Sequence, residues 1–230
     1  MKLFILFGVL FSSSLGFAGD LQLFNGQDLQ SWREPTSPWS IVGSLALNPD
    51  APKSFSVTAG TGLTLGCAAG KSVNIMSVQE FGDCQVHVEF CVPKDSNSGV
   101  YFMGRYEVQI LDSYGKAEIG THDCGAIYQR WKDNAGFEGK APRLNASKPP
   151  REWQSFDVTF KAPRFDSNGK KVSNATFVKV LHNGELIHEN VECSGPTRAS
   201  KFNDEAPLGP LLIQGDHGPI AFRSLLVTPL

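Results

Sequence analysis

Alternation with a period of two dominates the hydrophobic pattern. Residues 84–92 (CQVHVEFCV) put Cys84, Val86, Val88, Phe90 and Val92 on one face and Gln85, His87, Glu89 and Cys91 on the other. That pattern predicts a half-buried strand. Residues 99–103 (GVYFM) and 106–112 (YEVQILD) follow, with Gly104-Arg105 between them as a tight hairpin turn. Further strands are predicted over 125–129, 154–161, 175–181, 185–189, 209–214 and 221–227. His182-Asn183-Gly184 marks a hairpin between two of these, because Asn-Gly supplies the positive φ that a primed turn needs. No window of a dozen residues carries a helical period. Residues 130–152 are polar and rich in Gly, Pro and Asn, and read as a long surface loop of the kind that usually has a function. The pattern predicts one all-β sandwich of roughly a dozen strands.

The chain's start departs from this rhythm. Met1-Lys2 is followed by nine apolar residues (3–11) and by the small-residue pattern Gly16-Phe17-Ala18. This is the plan of a cleavable signal peptide over 1–18, with the mature domain at 19–230. Nine residues fall short of the about 20 that span a bilayer. The product is therefore expected to be secreted or periplasmic, with no membrane span. Lys+Arg 21 against Asp+Glu 23 leave a net charge of −2, which offers no basic face for nucleic acid. Gly 23 and Pro 14 among 230 residues suit many short strands joined by turns. The five cysteines (Cys67, Cys84, Cys91, Cys124, Cys193) include no Cys-x-x-Cys pair, which argues against a zinc ribbon or a thioredoxin-like site. Buried free thiols, or one or two bridges of unreadable connectivity, are the expected outcome. Oligomeric state is not legible.

A few polar residues interrupt apolar strands. Glu107 and Gln109 share one face of 106–112, and Tyr106, Val108, Ile110 and Asp112 share the other. Set beside the His87/Glu89 strand, the Glu-x-Gln pair is a candidate lining for a concave polar face. Alternation alone favours an ordinary solvated outer face. Gln214 ends an otherwise apolar run, and a buried amide needs partners. Arg223 is an odd charge in AFRSLLV and, if buried, must pair with a carboxylate such as Asp216 or with a ligand. His217, in a Gly-rich turn, is either a plain turn residue or a general base, being the side chain that titrates near neutral pH.

Six segments in order carry a resemblance: LFNGQDLQSW (23–32), NSGVYFMGRYEVQILDS (97–113), CGAIY (124–128), REWQSFDV (151–158), LHNGELI (181–187) and GPLLIQGDHGPIAFRSLLVTPL (209–230). Together they resemble the secreted 3-keto-disaccharide hydrolase domain family, from about residue 21 to the C-terminus. Two dipeptides depart from its pattern: Trp153-Gln154 stands where Trp-Asn is expected, and Arg223-Ser224 where Arg-Asn is usual. The resemblance implies a concanavalin A-like jelly-roll β-sandwich, a bacterial exported protein, and action on glycosides oxidised to a ketone at carbon 3.

Glucanases of that fold use a Glu-x-Asp-x-(x)-Glu strand motif, of which Glu107-Val-Gln109-Ile-Leu-Asp112 is reminiscent. Its middle acid is an amide, and the spacing of five puts Glu107 and Asp112 on opposite faces. A retaining pair needs carboxyls about 5–5.5 Å apart. A keto-sugar opens another route: a base removes the acidified C2 proton, the C1 substituent leaves, and water adds back. Glu107 and His217 are the candidate catalytic residues. Arg105, Gln109, Gln214, Arg223, Glu89 and His87 are candidates to bind hydroxyls or the ketone. His87, Glu89 and His217 are also candidate ligands for a divalent metal that would polarise the ketone. Two other readings stand beside the enzyme: a lectin-like carbohydrate-binding module using Trp32, Trp39, Trp131 or Tyr114 as sugar platforms, and a structural domain with no small-molecule site.

Overall fold

The computed structural model describes residues 19–230; the signal peptide expected over 1–18 lies outside them. Its described residues form strands, turns and irregular connections with no helix, as the alternation predicts. None of its elements is a helix long and apolar enough to cross a membrane.

Two antiparallel sheets make the sandwich. The larger has eight strands: Glu185–Cys193, Ala175–His182, Gln154–Lys161, Cys84–Cys91, Ala221–Pro229, Ala51–Leu65 and Ser40–Asn48 in spatial order, with Leu21–Phe24 also paired to Ala221–Pro229. The smaller runs Ile75–Phe81, Gly209–Ile213, Asn97–Phe102 and Tyr106–Leu111. Alternation decides which side of each strand is buried. Val86, Val88, Phe90, Phe156, Val158, Phe160 and Phe177 of the large sheet meet Val100, Phe102, Tyr106, Val108, Ile110 and Ile213 of the small one in a single core. Phe102 crosses the interface to Phe160 and Phe177, with ring centroids 5.0 and 5.3 Å apart, the spacing at which aromatic pairs add to area burial.

Turns fall close to where the sequence puts them. Asn183 and Gly184 adopt φ of +53° and +86°, the primed turn expected between Ala175–His182 and Glu185–Cys193. The other hairpin turns on three residues, Met103, Gly104 and Arg105, one more than the expected Gly104-Arg105, with Met103 and Gly104 at φ +57° and +64°. Residues 125–129 are not a strand; they run along the edge of Tyr106–Leu111, joined to it by one bridge, Val108 to Ile127. The expected loop at 130–152 contains a hairpin, Arg130–Lys132 with Ala135–Phe137, which turns on Asp133 and Asn134 at positive φ. Trp32 and Trp39 are core residues whose indole N–H groups donate to Leu23 and Val73 carbonyls, so only Trp131 and Tyr114 of the four aromatic platforms are exposed. All five cysteines are free. Burial pushes the thiols of Cys84, Cys91, Cys124 and Cys193 up to about 12, so they stay protonated and inert.

Candidate active site

The hairpin Asn97–Leu111 carries the floor of the site. Its register sets Gly99 opposite Gln109 and Tyr101 opposite Glu107. Asn97, Gly99, Tyr101, Glu107 and Gln109 therefore share the face turned away from the core. This face is not solvated, as alternation alone would have it: Glu107 is 2% and Gln109 4% exposed. Gly99 makes the arrangement possible, because a Cβ there would collide with the Glu107 carboxyl.

Three segments cover that face. Residues 124–128 run along the edge strand, where Tyr128 N–H donates to the Glu107 carbonyl and Gln109 N–H to the Ala126 carbonyl. A strap at 196–205 crosses above, its Thr197 hydroxyl accepting the Glu107 N–H at 3.2 Å. The turn Gln214–Gly218 closes the far side. Asn74 Oδ1 accepts its Gly215 and Asp216 N–H groups, and a Cβ at Gly215 or Gly218 would run into Val73 or Ser96. Between them lies a cavity of about 310 Å³ lined by Asn97, Tyr101, Glu107, Gln109, Tyr128, Arg198, Ala199, Gln214 and His217.

The electrostatics of this cavity are unusual. Complete burial pushes the Glu107 carboxyl up to about 8; the Tyr101 hydroxyl, by hydrogen bonding, opposes the rise and the Asp216 charge adds to it. Glu107 thus holds its proton at neutral pH. Tyr101 is driven strongly upward by its own burial and remains a phenol donor. His217 Nδ1 lies 2.6 Å from Asp216 Oδ1. With Nδ1–H donating to that carboxylate, Nε2 keeps its lone pair. Asn97 Oδ1, Gln109 Oε1 and Gln214 Oε1 are buried acceptors with no protein partner. Buried polar atoms are nearly always paired, so three orphans around one cavity call for a ligand rich in hydroxyl donors.

Four of the eight candidate residues therefore meet: Glu107, His217, Gln109 and Gln214. The other four sit elsewhere. Arg105 is buried under the strap, where its guanidinium donates to the Asp204 carbonyl and carboxylate and to the Met103 carbonyl at 2.6–2.9 Å. Arg223 pairs in bidentate fashion with Glu89 (2.8 and 2.5 Å), not with Asp216, and stacks over Trp153. That pair lowers Glu89 and raises Arg223. His87 contacts Asp157 at 2.6 Å on the same half-exposed face of the large sheet. The His87/Glu89 strand is thus in the opposite sheet from Glu107, not beside it. His87, Glu89 and His217 do not converge as a metal-binding trio, and no group of three His, Cys, Asp or Glu suited to a metal occurs among the described residues. Asp112 lies beyond the strand end, accepting the Asp95 N–H. The two departures from the family pattern also fall outside the cavity: Gln154 accepts from His182 and Ser224 from Gln22.

Asn97, Tyr101, Tyr128, Arg198 and Ala199 complete the lining without having been singled out in the sequence. The first two were hidden by the turn: a two-residue Gly104-Arg105 turn would pair Phe102 with Glu107, and the extra turn residue Met103 shifts the register so that Tyr101 and Asn97 share the Glu107 face. Arg198 sits in SGPTRAS, a stretch with no periodic signal.

Comparison with known proteins agrees with this picture. The family model described as a 3-keto-alpha-glucoside-1,2-lyase-like domain matches residues 19–228. A solved glycosyl hydrolase structure from Parabacteroides distasonis is 25% identical, with a TM-score of 0.68 over 93% of this chain and 84% of that one. Two more from the same organism are 17% and 18% identical, with TM-scores of 0.61 and 0.60, covering 92% and 93% of this chain and 94% and 100% of theirs. Among curated proteins nothing matches. The family and these structures mark a carbohydrate-acting, hydrolase-like domain on a β-sandwich. The chain belongs to the 3-keto-alpha-glucoside-1,2-lyase-like domain family.

Proposed function

We propose that this domain cleaves glycosides bearing a ketone at carbon 3, by elimination across C1–C2 followed by hydration. One observation carries the reading: a buried carboxyl, Glu107, protonated at neutral pH, faces the same cavity as His217, whose ring is braced by Asp216. The ketone acidifies the C2 proton, and His217 Nε2 takes it. The electron pair of the broken C2–H bond forms the enolate and then the C1=C2 bond. The C1–O bond breaks with its pair going to the leaving oxygen, which takes the Glu107 proton. Arg198, which has no carboxylate partner among the described residues, balances the charge on the enolate oxygen. The orphaned amides of Asn97, Gln109 and Gln214 accept from sugar hydroxyls. Water then adds across C1=C2, hydroxyl to C1 and proton to C2, so the net change is hydrolysis. Glu107 is the one carboxylate lining the cavity, which leaves a two-carboxylate mechanism without its second member. Ionisable groups gathered in one cavity favour an enzyme over a lectin-like groove. The reading includes export, with residues 1–18 as the leader.

The test is incubation of the purified protein with methyl 3-keto-α-glucoside in deuterated water. Release of methanol and a 3-keto sugar carrying deuterium at C2 is expected. Glu107→Gln should lower turnover about 100-fold or more, the usual scale for a lost acid–base group. Product without deuterium at C2 would discard the elimination, and an unimpaired Glu107→Gln would discard the acid.

A further inference from the structure

A second cavity, of about 350 Å³, adjoins the first and shares Arg198 and Ala199 with it. Arg130, Trp131, Thr197, Ser200 and Asn203 are among its other walls. No Asp, Glu, His or Tyr lines it. Two guanidinium groups, with hydroxyl and amide neighbours and no acid between them, make these walls rich in hydrogen-bond donors.

Arg198 supplies the unmatched charge. Six other arginines sit in ion pairs among the described residues, and Arg198 sits in none. Its guanidinium carbon lies 3.7 Å from the centre of the Trp131 ring. At that distance the cation stacks on the indole, which covers one face of both groups. The N–H groups lie in the guanidinium plane, so their edge stays free to donate. The backbone beneath is fixed as well: the Thr197 and Arg198 N–H groups donate to the Arg105 and Gln129 carbonyls, each at 2.8 Å. The fork is thus set before any ligand arrives, which lowers the ordering cost of binding.

Arg130 is held differently. Its Nη1 reaches Glu138 and Ser194, and the group lies 4.9 Å over the Phe137 ring. Gly195 lets it pack so closely, since a Cβ there would meet the guanidinium at 2.6 Å. Its Nε is buried and has no acceptor. Buried donors are nearly always paired, so this N–H asks for an acceptor that the protein does not supply. Glu138 offsets the Arg130 charge and leaves that of Arg198 over. The group that answers both arginines is an anion with acceptor oxygens alone.

We propose that the second cavity binds a small oxyanion (a carboxylate, sulfate or phosphate) held by the edge of Arg198 and by Arg130 Nε, with the Ser200 hydroxyl and Asn203 amide beside them. Such binding is independent of the elimination proposed above, since no proton transfer enters it.

The experiment titrates inorganic phosphate, and separately acetate, into the purified protein by calorimetry, with sodium chloride holding the ionic strength constant. The chain's net charge of −2 makes diffuse attraction of anions a poor substitute for a site. Saturable uptake of at least one anion is expected. Arg198→Gln should weaken it about tenfold or more, the scale of a lost charged hydrogen bond. Arg198 borders both cavities, so further variants locate the anion. Arg130→Gln and the exposed Asn203→Ala touch only the second cavity. Each should weaken uptake about threefold or more, the scale of one hydrogen bond. Tyr128→Phe touches only the first and should leave uptake unchanged. No saturable uptake of either anion in wild type, or uptake that Arg198→Gln leaves intact, would overturn the site. Uptake lost in Tyr128→Phe and kept in Asn203→Ala would put the anion in the first cavity and overturn it equally.

Discussion

Glu107 lives under opposing demands. As an acid it must keep a proton at neutral pH, which requires burial, and burial of an ionisable group opposes folding. Its ordinary value of 4.5 rises to about 8 in the folded chain. The unfolded chain therefore releases this proton at lower pH than the folded one does. The stabilising contribution is present below pH 4.5 and is lost as pH rises through 8. At pH 7 the loss has reached on the order of 3 kcal/mol, at about 1.4 kcal/mol per unit. Glu107→Gln, which keeps the shape above Gly99 and cannot ionise, should make the protein more stable at pH 7 by about that amount and hardly change it at pH 4. Urea midpoints of the two proteins at both pH values measure this. Equal midpoints at pH 7 would mean that the carboxyl is hydrated rather than sealed in.

At the scale of elements, the strap at 196–205 links structure to chemistry. It contributes little apolar surface and is held by polar bonds around one side chain. Arg105 reaches Asp204 twice and Met103 once, and lies 4.7 Å under the Phe202 ring. Its carbonyl accepts from Thr197, and Gly104 next to it accepts from Lys201. Arg105 is thus a positioning residue for Arg198, although it never reaches the cavity. Arg105→Met keeps much of the stem and removes every guanidinium bond. It should cost about 2 kcal/mol, given that bonds to charged groups are worth about 1.5–3 kcal/mol and Asp204 can be rehydrated. Hydrogen exchange should quicken in 196–205 ahead of the sheets, and kcat should fall more than the stability loss explains. Uniform exchange with unchanged kcat would leave Arg105 a mere packing residue.

That strap also marks the boundary of what could be read from the sequence. Core strands such as Cys84–Cys91 and Gln154–Lys161 bury alternate residues on a flat face, and their period of two survives in the chain. Alternation within 106–112 made Glu107 and Gln109 neighbours in advance. What covers them could not be read, because cover comes from residues 90 positions away in a Gly-, Pro- and Ser-containing loop with no period. Alternation therefore reported Glu107 as facing outward, correctly, and said nothing of what lay above it. Arg223 misled for a related reason: a charge in an apolar strand must find a partner, and it found Glu89 instead of a ligand, as Arg105 in the hairpin turn found Asp204. The missed strand Ala51–Leu65 is largely exposed and polar, so it lacked a buried face to betray it.

Across the whole molecule, three buried groups set the pH at which the sandwich is firmest. His182, packed against Phe90 and Phe156, and His188, whose Nε2 lies 2.7 Å from the Gly125 carbonyl, tie the large sheet to the segment that covers the site. Burial lowers both from 6.5 to about 4. The unfolded chain binds their protons first, so their contribution is present above pH 6.5 and is lost as pH falls towards 4. Glu107 works in the opposite sense between 4.5 and 8. From 4.5 to 6.5 two histidines oppose one carboxyl, and stability should climb with pH at a net slope of about 1.4 kcal/mol per unit. Above 6.5 only the carboxyl of these three still differs between the states, and the slope should reverse sign. The unfolding temperature should therefore peak near pH 6.5 and fall on both sides, which a series of thermal melts from pH 4 to 9 would trace. The two substitutions act differently on the flanks. His188→Gln, which still donates to Gly125, should flatten the acid side and leave the alkaline side unchanged, while Glu107→Gln should flatten the alkaline side and about double the acid slope. A peak that neither substitution moves would assign the pH dependence to the surface ion pairs instead.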